Sequence, residues 1–196
     1  MPSRTLRFLL TAALFALLTF PAREGQSAEG DAAKLDQLSS EQNWKLSIKL
    51  ARSITTDPDQ DEDLTFALAR LARGLQNDGQ LTAAVEFYQL AVTASELPTA
   101  SELTASDKHL VRLAASEVMV QSQNIASAIE LLEPLVEPDS GISEQQKKIA
   151  VWVLLRAGSA SLSRGSFMEA SSAYAIALRH ADPQQRPIAF LGDAWA

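Results

Sequence analysis

The chain has 196 residues, a formal net charge of −7 and no cysteine, which excludes disulfides and thiolate metal sites. Its acidic balance argues against nucleic acid and against docking on anionic lipid, both of which ask for a basic footprint. Ala, Leu, Glu and Gln dominate the periodic stretches and strand signals are few, so the reading is all-α.

In chain order, residues 1–27 have the form of an export signal. Arg4 and Arg7 make a basic start, Leu6 to Phe20 is an apolar run ended by Pro21, and Gly25 and Ser27 put small residues at a cleavage site. The apolar run is shorter than a bilayer span of roughly 18–20 residues. The expectation is export to the periplasm or outside, with an uncleaved inner-membrane anchor as the alternative. The remaining chain would carry 14 basic and 23 acidic residues.

Residues 28–64 predict a degenerate helical unit. Trp44 to Ile54 has apolar residues at helical spacing, whereas Ala32 to Leu38 is short and polar and does not predict a full helix. The acidic stretch Asp57 to Asp63 invites a calcium reading. An EF-hand loop from Asp57 would need Gly sixth and Glu twelfth, and those places hold Glu62 and Leu68. Capping of the next helix by acidic groups explains the stretch better.

Three copies of a block of about 34 residues follow. Residues 65–98 place Leu71, Ala72, Leu75, Gly79, Leu81, Ala84, Tyr88 and Ala91 in order. Residues 109–142 answer with Ala115, Ser116, Met119, Gln123, Ile125, Ala128, Leu132 and Leu135. Residues 151–184 give Ala157, Gly158, Ser161, Gly165, Phe167, Ala170, Tyr174 and Ala177. Small residues at Ala72, Ser116 and Gly158, and at Ala84, Ala128 and Ala170, suit the crossing of two close helices. Gly79 and Gly165 suit a turn with positive φ. Gln123 replaces that glycine in the middle copy, and Asn124 is expected to take the left-handed position instead.

Between copies, Thr99 to Lys108 offers caps for a helix starting near Ser106. Ser143 to Gln146 reads as a capping box that starts a helix ahead of Val151. Residues 185–196 predict one further helix without its mate, in which Leu191, Gly192 and Trp195 repeat the earlier register. This helix is expected to pack on Ser166 to Arg179 and to leave an apolar edge.

The pattern resembles the tetratricopeptide repeat family over about 120–130 residues, carried by Gly79, Ala84, Tyr88 and Ala91 and by Gly158, Gly165, Ala170, Tyr174 and Ala177. The middle copy departs from it at Gln123 and Leu135. The resemblance implies a right-handed superhelical solenoid of antiparallel helix pairs, as in exported bacterial proteins of this kind. Its concave face, lined by first helices, would bind a peptide or an amphipathic helix. Carried onto this chain, the groove would hold Phe66, Ala69, Arg70 and Arg73, then Leu110, Leu113, Glu117 and Val120, then Trp152, Leu155, Arg156 and Leu162. An apolar stripe with Arg70, Arg73 and Arg156 suits a partner with acidic groups; alternatively, residues 31–55 fold over it as core.

No nucleophile elbow, S-x-x-K, phosphate loop or H-E-x-x-H occurs, and His109 and His180 have no paired ligands. No catalytic residue, metal or cofactor is expected. The function expected is that of a non-catalytic scaffold in the cell envelope. A second reading is a structural subunit that forms a homodimer or polymer through the C-terminal helix. A third is a ligand-binding or enzymatic domain with its pocket at Trp152 and Phe66.

Overall fold

The computed structural model of the protein describes residues 30–54, 64–97, 100 and 103–196. The export signal at 1–27 and the acidic stretch Asp57 to Asp63 lie outside the described residues. Among the described residues there is no strand, and the fold is all-α. The helices are α1 (Asp31–Ser40), α2 (Trp44–Ile54), α3 (Leu64–Asn77), α4 (Leu81–Ser95), α5 (Ala105–Gln121), α6 (Ile125–Val136), α7 (Glu144–Ser163), α8 (Phe167–His180) and α9 (Arg186–Trp195). None of them is long and apolar enough to cross a membrane.

The helix starts follow local chemistry. Thr104 caps α5 by accepting from the Asp107 backbone N–H, and the Asp107 carboxylate accepts from the Thr104 backbone N–H in return. Ser143 and Gln146 form the same reciprocal box at α7, which begins seven residues before Val151 as its sequence predicts. The short polar segment at the start does form a helix, α1, contrary to expectation. Tertiary contact supplies what its propensity lacks: α1 packs on α3, Ala32 and Leu35 are buried, and Asp36 pairs with Arg70.

Each helix packs on the next along the chain. In addition α1 meets α3, α5 meets α7, α7 meets α9, and α6 meets α8. Small residues let these helices approach: Ala72, Ser116, Ala84, Ala128 and Ala170 are all fully buried. Tyr88, Leu132 and Tyr174 are buried one turn further along each second helix. Leu135, which stands where the other copies have alanine, is buried as well. Leu68, Leu71 and Leu75 of α3 lose all solvent contact, each contributing about 1.5–3 kcal/mol of transfer free energy.

The three tight turns are built alike. The N–H groups of Gln80, Asn124 and Ser166 donate back to the carbonyls of Leu75, Met119 and Ser161 at 2.8, 2.8 and 2.9 Å. Gly79 and Gly165 take positive φ, 81° and 75°. In the middle turn Gln123 itself does so, at 68°, while Asn124 stays at −89° as the N-cap of α6. Asn124 was expected in that role; the shared hydrogen-bond pattern puts the strain one residue earlier, whatever residue is there. The Arg164 guanidinium donates to the Gln123 carbonyl at 2.9 Å and helps to hold the turn.

At the C-terminal end α9 packs on α8, as expected for residues 187–196, and also on α7. The Tyr174 ring lies between two glycines. A Cβ on Gly158 of α7 would come within 2.7 Å of it, and one on Gly192 of α9 within 2.3 Å. The absence of a side chain at these two places is what lets the ring in.

Candidate functional site

The first helices α3, α5 and α7 present equivalent positions at intervals of 44 and 42 residues. Phe66, Leu110 and Trp152 occupy one such position, and all three are half-buried. Ala69, Leu113 and Leu155 occupy the next, and all three are buried. Leu113 and Leu155, expected in the groove, therefore belong to the core. Three residues beyond Leu110 and Trp152, they have turned about 60° away around the helix and out of solvent. Val120 is likewise buried.

One turn along from the half-buried row lie charged groups that take one another as partners. Arg70 forms a two-pronged pair with Asp36 of α1, its Nε 2.8 Å from Oδ1 and its Nη2 on Oδ2. Arg156 of α7 donates from Nη1 to Oε1 of Glu117 on α5. The Gln121 side-chain amide donates to the same oxygen at 3.0 Å, and the Gln76 amide of α3 donates to Gln121 Oε1 at 3.1 Å. A polar chain thus runs Gln76–Gln121–Glu117–Arg156 across three helices. Its centre is dry: the Glu117 side chain is only 7% exposed, against 43% for Arg156.

Tyr88 of α4 joins this centre. Burial pushes its phenol well above the usual range, the Arg73 guanidinium works against that, and the Glu117 charge adds to it. The Glu117 Oε2 atom is buried without a hydrogen-bond partner among the described residues. An acceptor in that position is costly unless a donor reaches it.

Of the residues that the sequence nominated, Phe66, Arg70, Arg73, Leu110, Glu117, Trp152 and Arg156 lie on or beside this face. Arg70 and Arg156 are engaged by carboxylates of the chain itself. The face is closer to charge balance than its sequence suggests, and an acidic partner would have to displace Asp36 or Glu117. Gln76, Gln121 and Tyr88 were missed. Gln121 stands four residues after Glu117 on one helix, a spacing that brings two side chains together and could have found it.

The histidines are remote from this cluster. Burial holds the His109 imidazole below its usual range, and Arg112 adds to the effect. Burial also lowers His180, outweighing Glu137, whose carboxylate lies 3.7 Å away, so proximity to the α8 C-terminus does not decide its charge. Among the described residues no group of three or more His, Asp or Glu could hold a metal ion.

No family model and no curated protein matches the chain. It is similar to the crystal structure of BtubC (BKLC) from P. vanneervenii, with 21% identity and a TM-score of 0.46 over 97% of this chain and 75% of the other. A likeness at that level carries no argument about function.

Proposed function

We propose that this chain is a non-catalytic protein-interaction scaffold of the tetratricopeptide type, exported to the bacterial envelope. It would hold a peptide or helix of a partner on the face of α3, α5 and α7. The observation that carries this reading is the repetition of one surface position, Phe66–Leu110–Trp152, half-buried in three alternate helices, α3, α5 and α7, beside a polar cluster. A surface repeated with the period of the fold suits an extended ligand better than a compact substrate.

Two separations support the stacking of like units. Arg70 pairs with Asp36, and Arg52 pairs with Glu86, each across 34 residues, the length of one repeat. On this reading α1 and α2 form a leading unit that sits beside α3 and extends the array. In the binding face, Trp152 would supply apolar contact.

The test is photo-crosslinking from position 152 in envelope extracts, followed by mass spectrometry. A partner should be captured from position 152 and not from Ser172, on the exposed side of α8. Equal capture from both places would end the groove reading. So would a Trp152→Ala protein that retains its partner.

A second reading is favoured by one specific observation. Phe190, Leu191 and Trp195 of α9 are 64%, 59% and 78% exposed. Self-association through this helix would cover them. Light scattering after size exclusion should then give a dimer that Trp195→Glu returns to a monomer, and a monomeric wild-type chain would remove this reading.

A further inference from the structure

At the opposite end of the array from α9, helix α2 and the α3–α4 turn enclose an open groove of about 620 Å³, lined by Trp44, Lys45, Ile48, Lys49, Arg52 and Gln80. Its volume falls within the range of ligand-binding clefts. The floor is apolar and fixed. The six-membered ring of Trp44 rests on Gly74 of α3, where a Cβ would come within 2.5 Å of Cη2. Gly74 thus leaves the space that seats the indole.

The rim is basic in a chain that is otherwise acidic. α2 contains Lys45, Lys49 and Arg52 and no Asp or Glu, against a net charge of −7 for the whole chain. Arg52 is engaged by Glu86 through two hydrogen bonds of 2.9 and 2.8 Å. Among the described residues Lys45 and Lys49 have no carboxylate within ion-pair distance, and both are exposed. Two lysines on a helix are ordinarily only solvated surface. Here they flank Trp44 and Ile48, which remain half-buried. Burying that apolar surface and meeting those charges requires one ligand with both properties.

We infer that this groove is a second docking site, distinct from the face of Trp152, and that it takes an acidic amphipathic helix of a protein partner. Lys45 and Lys49, the cations of this rim that Glu86 does not engage, stand about 6 Å apart along α2. A helix with carboxylates at i and i+4 matches that spacing, and a leucine or similar residue between them reaches Trp44 and Ile48. Exposed ion pairs contribute little each, so the apolar contact supplies affinity while the charges select the partner and its direction.

The probe is a fluorescein-labelled synthetic peptide with Glu at those two places and Leu between them, titrated against the full chain and read by fluorescence anisotropy. Saturable binding is expected, weakened about tenfold by Lys45→Glu with Lys49→Glu and weakened by added salt. A peptide with Lys in place of Glu should bind that double variant better than it binds wild type. Arg186→Glu, on α9, should have no effect, whereas Lys49→Glu alone, which makes the same change in net charge, should weaken binding. Circular dichroism checks the fold, and Lys45→Gln with Lys49→Gln repeats the test should the reversals destabilise it. Indifference to both lysine pairs would overturn the inference. So would equal affinity for the Lys peptide, or sedimentation with phosphatidylserine vesicles without peptide binding, which would make the groove a lipid contact.

Discussion

Among the first described helices, α1 and α2 add two partly exposed ion pairs, Asp36–Arg70 and Arg52–Glu86, to the apolar contacts of Leu35, Ala51 and Trp44. At the C-terminal end α9 is held by close apolar fit, with Ala189 buried and Gly192 against the Tyr174 ring. The first end meets solvent with lysines around a half-buried tryptophan, the second with bare aromatic and aliphatic side chains. Partly exposed ion pairs are individually weak and indifferent to small shifts. A ring clamped between glycines tolerates no added atom. The two ends should therefore fail in different ways.

The largest effect is expected at Gly192. Alanine there would gain helix propensity of up to about 1 kcal/mol but place its Cβ within 2.3 Å of Tyr174, so overpacking dominates. A net loss of about 2 kcal/mol, or roughly 4–8 °C in Tm, is expected by thermal denaturation. An unchanged Tm would mean that α9 does not dock as described. Asp36→Asn is the matching lesion at the other end. It should cost no more than about 1 kcal/mol, because the pair is about one-third exposed on each side. A cost equal to that of Gly192→Ala would erase the contrast.

Acidification acts on both halves of the array through the histidines. A lowered pKa in the fold means that the unfolded chain binds a proton more readily, so stability is full above the usual 6.5 and falls as pH drops below it. Tm should decline between about pH 7.5 and 5.5, and His109→Gln with His180→Gln should flatten the decline. A wild-type Tm that rises on acidification would contradict the burial of these rings. The smallest effect is expected at the middle turn. Gln123→Gly should stabilise by about 0.5–1 kcal/mol, the relief of a left-handed non-glycine residue less the entropy of a freer unfolded chain. Gly79→Ala should do the reverse, by a similar amount, in the same denaturant titration.

Much of the fold is legible along the chain because it rests on short-range bonds. Thr104 with Asp107 and Ser143 with Gln146 cap their helices across three residues, and Gly79 and Gly165 mark their turns. The site was legible in its apolar row, since Phe66, Leu110 and Trp152 repeat with the period. It was less legible in its charges. The sequence offers Arg70 and Arg156 to an outside partner, and folding gives them to Asp36 and Glu117, 34 and 39 residues away.

The sequence alone determined that the chain is helical, where the turns fall and which small residues permit close crossing, since these depend on neighbours within a helical turn or on a regular period. Only the tertiary structure decided that the polar segment at Asp31 becomes a helix and that Gln123 bears the positive φ. It also seated Trp44 on Gly74 and left a basic groove beside it. Each of these depends on which distant surfaces meet, and a pattern of local preferences does not contain that information.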